Sequence, residues 1–367
     1  MAKTDSNGLG EPLHDPPQGD TKVDIVFVHG LHGDRIKTWT SEPTRKNPSV
    51  FWPKDLLPIR CTTARILSFG YNASAAHFYP LFGPGKVPPT TTIDDHSTAL
   101  LDSLIGLRTR TETNDRPIIF VAHSLGGLVC ANAISKQHGT ETAEKALVGK
   151  VRGMIFLGTP FAGSEKASWA LIGTQFLSLF SSTNEEKIGD LEKRSKMLID
   201  INNNFLQVIK ERDRIGPWIE VACYFEEIPT KAAGFSIGFI VDRASATLPG
   251  IVPLSIQEDH SDMCKFEDEY RSGFISISNK LSQWIQALDK KAEDHGGKQG
   301  GITIGPTSLG AISNNHGVVS AVITSTATDG NRIVGSQKIT IIGDSAKDIA
   351  DKLVRLEDGH SSSGNDN

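Results

Sequence analysis

The stretch from Pro117 to Ile134 constrains this chain more than any other. An apolar run, Pro117–Ala122, leads without a spacer into His123-Ser124-Leu125-Gly126-Gly127. A helical pattern carrying Leu128, Val129, Ala131 and Ile134 then continues to about Gln137. The run is unbroken and partly β-branched, as expected of a strand buried on both faces. A serine between such a strand and such a helix sits on a tight turn. Side chains two before and two after it would meet neighbouring backbone, and those places hold Ala122 and Gly126. Such a strand needs a parallel sheet around it and helices covering that sheet.

Other segments repeat the pattern. Val23–Val28, ended by His29-Gly30, and Ala64–Phe69 read as buried strands. So do Val151–Leu157, ended by Gly158-Thr159-Pro160, and Trp218–Tyr224. A sixth strand is expected near Gly238–Arg243 or Ile251–Leu254. Helical periodicity covers Asp94–Arg108, residues 165–212 and Phe266–Lys290. Strands alternating with helices predict an α/β class with a mostly parallel sheet covered on both faces, whose ligands sit at the carboxyl ends of the strands. Residues 1–21 read as a disordered tail, 22–290 as the α/β domain and 291–301 as a Gly-rich linker. Residues 302–357 read as β-prone with a short helix at Ser345–Glu357, and 358–367 as a polar disordered tail.

Composition narrows the function classes. The net charge is -5 and no basic stripe stands out, which argues against a nucleic-acid partner. Cys61, Cys130, Cys223 and Cys264 are scattered, and no CxxC pair suggests a disulfide framework or a zinc site. Neither a cofactor nor a metal is called for. No secretory leader is visible, and no apolar run reaches the ~18 residues of a membrane span. The expected location is the cytoplasm, with any membrane contact peripheral.

The chemistry converges on Ser124. Strand, Ala122-His123-Ser124-Leu125-Gly126, then helix is a G-x-S-x-G nucleophile elbow with Ala in the first glycine position. The turn lifts the hydroxyl above the sheet, at a helix N-terminus whose dipole favours developing negative charge. The plainer reading is a serine that caps a helix. Acyl transfer also needs amide donors for the oxyanion. Leu125, after the nucleophile, and Leu31, in the turn His29-Gly30-Leu31, are the expected pair. Elbow enzymes order their residues Ser, acid, His. Past Ser124, His138 follows the elbow helix too closely, and His295, His316 and His360 fall in linker or tail. That leaves His260, in Glu258-Asp259-His260-Ser261, as the base; otherwise it is a surface histidine in an acidic loop. The acid is expected just after the fifth strand. Glu226 is preferred, with Glu227 and Asp242 as alternatives.

These residues carry a resemblance. Asp24-Ile25-Val26-Phe27-Val28-His29-Gly30-Leu31, Lys37-Thr38-Trp39-Thr40 and Phe51-Trp52-Pro53-Lys54-Asp55-Leu56-Leu57-Pro58 resemble the start of the fungal SesB-like and SERAC-type serine esterases. Ala64-Arg65-Ile66-Leu67-Ser68-Phe69-Gly70-Tyr71 and Gly158-Thr159-Pro160-Phe161-Ala162-Gly163-Ser164 continue it. Tyr224-Phe225-Glu226-Glu227-Ile228-Pro229-Thr230 is similar to the family's F-Y-E-T-x-P-T, whose Glu aligns with Glu226. Asp259-His260-Ser261-Asp262-Met263-Cys264-Lys265-Phe266 is similar to its D-H-S-x-I-C-K-F. The resemblance covers roughly residues 22–290 in order. It implies an α/β-hydrolase fold with esterase or lipase activity, related to GPI-inositol deacylase-like lipases. It also implies a link to fungal nonself recognition, where such domains precede NLR-like receptors and trigger cell death. This chain departs from that arrangement: it has no G-x-x-x-x-G-K-[ST], and Gly83-Pro84-Gly85-Lys86 lacks the spacing and the hydroxyl residue.

Two functions are expected to compete. The first is a serine esterase or lipase acting on carboxylic, including lipidic, esters. Residues 165–212 would form its helical lid, with an apolar face of Trp169, Leu171, Ile172, Phe176, Leu177, Leu179 and Phe180. The second is a catalytically silent scaffold or signalling module. Residues 302–343 are β-prone and poor in charge, the composition of an amyloid-like motif that self-assembles or recruits the chain to an NLR-like receptor. The same composition suits a small β-hairpin unit or a disordered tail.

Overall fold

The computed structural model describes residues 7–17, 19–43, 48–73, 92–136, 142–161, 188–232 and 235–296, and the strands between 303 and 343. Seven strands form the main sheet: β1 (Gly8–Leu9), β2 (Val23–Val28), β3 (Ala64–Gly70), β4 (Ile118–His123), β5 (Val151–Leu157), β6 (Glu220–Glu226) and β9 (Leu254–Ile256). Two more, β7 (Thr230–Ala232) and β8 (Phe235–Gly238), pair with each other. The order in the main sheet is β1-β3-β2-β4-β5-β6-β9, with β1 antiparallel and every other pairing parallel. Parallel strands require crossovers, and the helices supply them. The longer ones are α3 (Ile93–Arg110), α4 (Leu125–Ser135), α6 (Ile188–Ile215) and α7 (Ser272–Gly296). The short turns α1 (Trp52–Asp55) and α2 (Leu57–Arg60) lead into β3, and α5 (Thr142–Val148) leads into β5. A parallel sheet with a serine turn between β4 and α4 is the α/β-hydrolase architecture.

Strand alternation divides the core into two layers. Val23, Ile25 and Phe27 of β2 face a layer containing Trp39, Trp52 and α7. Val26 and Val28 face the other, with α3, α4 and Phe205 of α6. On α7, Phe274, Ile277, Leu281 and Ile285 recur every three or four residues and are buried, the stripe of an amphipathic helix. Each of the first three, at 0% exposure, contributes roughly 1.5–3 kcal/mol by leaving water. On α3, Thr92 and Asp95 form a reciprocal capping box, and Leu100, Leu101 and Leu104 face the sheet.

Several expectations are displaced. Residues 7–17 are not a free tail: Gly8–Leu9 pairs with Phe69–Gly70, and Leu13 N–H donates to Ile66 O at 2.8 Å. The outer edge of β3 offers unpaired backbone groups, and this segment takes them up although its own composition is loop-like. β6 starts and ends two residues later than expected, which makes Glu226 its last residue. β9 overlaps the second of the two segments considered for the sixth strand. α7 begins at Ser272, because Phe266 packs on Trp52 (5.2 Å between ring centroids) and Asp268 Oδ1 accepts from Tyr270 N–H, shaping a turn. The apolar residues Trp169, Leu171, Ile172, Phe176, Leu177, Leu179 and Phe180 lie outside the described residues, as do Gly83–Lys86, the expected helix at Ser345–Glu357 and the tail 358–367. Among the described residues, no helix is long and apolar enough to cross a membrane.

The chain divides into two compact units, Met1–Asp289 and Lys290–Asn367. The second is built on an antiparallel hairpin of two twelve-residue strands, β13 (Val318–Asp329) and β14 (Arg332–Gly343), with a bulge at Ala327/Thr328. Three short strands pair in turn with β13: β10 (Thr303–Ile304), β11 (Ser308–Leu309) and β12 (Ser313–Asn315).

Candidate active site

Ser124 joins β4 to α4 with φ 56° and ψ -132°, a backbone that residues with a Cβ seldom adopt. The surroundings hold it there. Its N–H donates to Leu157 O at 2.8 Å, tying the turn to β5, and its carbonyl accepts from Gly127 N–H at 3.0 Å. The small residues serve close approach. A Cβ on Gly126 would overlap the His29 carbonyl oxygen, and one on Gly30 would lie 2.5 Å from Ser124 Cβ. The turn after β2 therefore packs directly on the serine. Leu31 follows that turn, Leu125 follows the serine, and among the described residues neither backbone N–H has a protein acceptor.

The turn after β2 is itself locked. Tyr71 N–H donates to His29 Nε2 at 3.2 Å, so His29 Nδ1 carries the proton and donates to Gly30 O at 2.9 Å. Tyr71 stacks on the His29 ring at 4.5 Å, and its hydroxyl donates to His29 O at 2.8 Å. Burial pushes the His29 pKa down, which keeps the ring neutral.

Glu226 and His260 meet at the ends of β6 and the loop after β9. His260 Nδ1 lies 2.7 Å from Glu226 Oε2, and both side chains are buried. A carboxylate there accepts from Nδ1–H and leaves the lone pair on Nε2. The other oxygen, Oε1, accepts from the backbone N–H of Ile240 and, at 3.1 Å, of Val241. Glu226 is thus fixed from both sides. Glu227 and Asp242 are exposed, and Asp242 Oδ1 is engaged by Ser245 N–H. Of the three carboxylates considered, Glu226 is the one that the fold brings to His260.

The strand end Leu157-Gly158 links the two halves. Leu157 O holds the Ser124 amide, and a Cβ on Gly158 would lie 2.9 Å from His260 Cε1. Gly158 has φ 55°, and its N–H donates to Tyr224 O at 2.9 Å. Ser124 and His260 therefore converge on one strand end at the carboxyl edge of the sheet.

His123 is a neighbour that sequence reasoning passed over. Its Nε2 lies 2.8 Å from His260 O, and its ring sits 5.0 Å from the His260 ring. Burial, then the neighbouring His260, pushes its pKa down to about 3, so it stays neutral and donates from Nε2–H. Its place beside the serine in the elbow was the available signal. A neutral form favoured in the fold adds stability above the unfolded pKa near 6.5, and that stability is lost as pH falls towards 3. The expected slope is about 1.4 kcal/mol per pH unit across that window. Urea midpoints of wild type and His123→Gln between pH 7 and 4 check it: the variant should lose this part of the acid sensitivity. Parallel pH curves would count against it.

The chain is similar in sequence to several known proteins. Residues 91–227 match the family model described as "Putative serine esterase (DUF676)", a span that includes Ser124 and Glu226 and ends before His260. Protein SERAC1 of Danio rerio is 28% identical over 261 residues, covering 67% of this chain and 36% of that protein. Protein SERAC1 of Bos taurus is 26% identical over 291 residues, covering 72% and 41%. The chain thus spans about two fifths of the length of the curated relatives it matches. A solved structure from work on two fungal esterases of Rhizomucor miehei is 13% identical, with a TM-score of 0.41, covering 76% of this chain and 78% of that one. The sheet order and the serine turn give the α/β-hydrolase fold, and over residues 91–227 the chain is similar to a putative serine esterase model.

Proposed function

We propose that the chain hydrolyses carboxylic esters through Ser124, His260 and Glu226, with a covalent acyl-enzyme intermediate. The buried Glu226–His260 pair at 2.7 Å, brought to the same strand end as the Ser124 elbow, carries this reading. His260 Nε2 takes the Ser124 Oγ proton as Oγ attacks the acyl carbon. The carbonyl oxygen becomes an oxyanion beside the Leu31 and Leu125 amides, and such a donor is worth about 3 kcal/mol in the transition state. When the tetrahedral adduct collapses, the C–O bond to the alcohol breaks and His260 returns the proton to the leaving oxygen. Water then attacks the acyl carbon as His260 takes its proton; the bond to Ser124 Oγ breaks, His260 returns the proton to Oγ, and the acid leaves. Glu226 holds the His260 tautomer and stabilises its charged form throughout.

A cavity of about 970 Å³ borders Glu226; Phe161, Phe225, Phe239, Leu248 and Ile251 line it together with Glu227, Asp242 and Arg243. This cavity supports a preference for medium or long acyl chains. Ala244 lines it and is exposed, so a larger side chain is tolerated there. Ala244→Trp is expected to lower kcat/KM for p-nitrophenyl decanoate about tenfold relative to p-nitrophenyl acetate. An unchanged ratio would place the acyl chain elsewhere. The test of the reaction itself is fluorophosphonate treatment followed by peptide mass spectrometry. The expected adduct is on Ser124, with parallel loss of p-nitrophenyl ester turnover; turnover that survives complete labelling of Ser124 counts against the proposal.

A further inference from the structure

At the other edge of the sheet three arginines converge on one carboxylate. Asp24 is the second residue of β2, and Arg65, its register partner on β3, donates from Nε and Nη2 to both its oxygens at 2.9 Å. Arg108 Nη1, from the last turn of α3, reaches Asp24 Oδ2, and Arg116 Nη1 reaches Oδ1 at 3.0 Å. Asp24, Arg65 and Arg108 are no more than 1% exposed. Among the described residues no other carboxylate lies within ion-pair distance of these guanidinium groups, so one negative charge faces three positive ones. Burying unbalanced charge is costly. Burial lowers the Arg108 pKa; Asp24 opposes that, while Arg65 and Arg116 add to it.

A cavity of about 360 Å³ opens onto this cluster, and its charged lining is Arg65, Arg110 and Arg116 together with Asp15 and Glu112, of which Arg110, Asp15 and Glu112 are exposed. Among the described residues only Asp24 accepts from Arg116, and nothing accepts from the Arg110 side chain. Arg65 is already engaged by Asp24, Thr111 and Thr113, so the donors left over belong to Arg110 and Arg116, in a lining of three guanidinium groups and two carboxylates. We propose that this cavity binds one small oxyanion, phosphate or the phosphomonoester of a small molecule, between Arg110 and Arg116. Guanidinium forks match the paired oxygens of such groups. Asp15 and Glu112 oppose a polyanion at the same surface, which fits a single compact ligand. The β2 strand separates this site from the serine turn by about 20 Å, so binding is read without reference to turnover.

The test titrates inorganic phosphate and glycerol 3-phosphate into the full chain by calorimetry, at constant ionic strength kept with chloride. Saturable one-to-one binding is expected. Arg110→Ala, which leaves the Asp24 cluster intact, is expected to weaken it about tenfold or more. Arg116→Gln should weaken it further; if that variant does not fold, Arg110→Ala still decides. Heat indistinguishable from a chloride titration, or equal affinity in Arg110→Ala, would overturn the site. Retention on vesicles of phosphatidate in phosphatidylcholine, with no affinity for either soluble ligand, would overturn the free-ligand assignment in favour of a lipid headgroup.

Discussion

Ser124→Ala is expected to reduce p-nitrophenyl ester turnover by about 10⁴- to 10⁶-fold and to abolish fluorophosphonate labelling. Elbow geometry is the reason for so large an effect. The Ser124 hydroxyl is packed against the Gly30 turn, where an added Cβ would lie 3.0 Å from its Oγ. The Leu31 and Leu125 amides would remain, so residual turnover above the uncatalysed rate is expected from oxyanion stabilisation alone. Global structure should be unchanged, because Ala adopts the same strained turn with one atom fewer. Labelling that persists in the variant would refute the nucleophile. Loss of the fold, read by circular dichroism, would send the test to Ser124→Gly, which relaxes the positive-φ backbone.

Asp24→Asn is expected to cost about 3–5 kcal/mol of stability, the range for breaking a buried ion pair from one side. Three guanidinium groups would lose their only charged partner among the described residues. The network is almost dry, so added sodium chloride should not reproduce the effect in wild type. Urea denaturation of both proteins measures it. A difference below about 1 kcal/mol would show that the cluster is compensated in some other way. This carboxylate is at the amino edge of the sheet and touches no residue of the proposed catalytic set, so any loss of turnover should follow loss of folded protein.

Local pattern made the sheet legible. Val23–Val28 and Val151–Leu157 are apolar runs interrupted at their second residue by Asp24 and Arg152, and the strands coincide with them residue for residue. The elbow was legible because its small residues are a steric requirement that any chain making this turn must meet. Asp24 was hidden for the same reason that its strand was clear: one acid within a run of valines and isoleucines does not disturb the pattern. Its partners stand 41, 84 and 92 positions away, and only the fold makes them neighbours. The choice between Glu226 and Glu227 turned on where β6 ends. Adjacent strand residues point to opposite sides, so one residue decides which carboxylate meets His260. Residues 7–14 were illegible because their order comes from the edge of β3 and not from their own composition.

The two larger sheets among the described residues end very differently. The seven-stranded sheet finishes at β1, of two residues, and at β9, of three, so neither border offers another molecule much backbone to add to. In the C-terminal unit β14 is twelve residues long, and among the described residues it pairs only with β13. Its outer border is a row of donors and acceptors about 40 Å in length. The first sheet ends on stub strands, while among the described residues the second ends on a strand of full length.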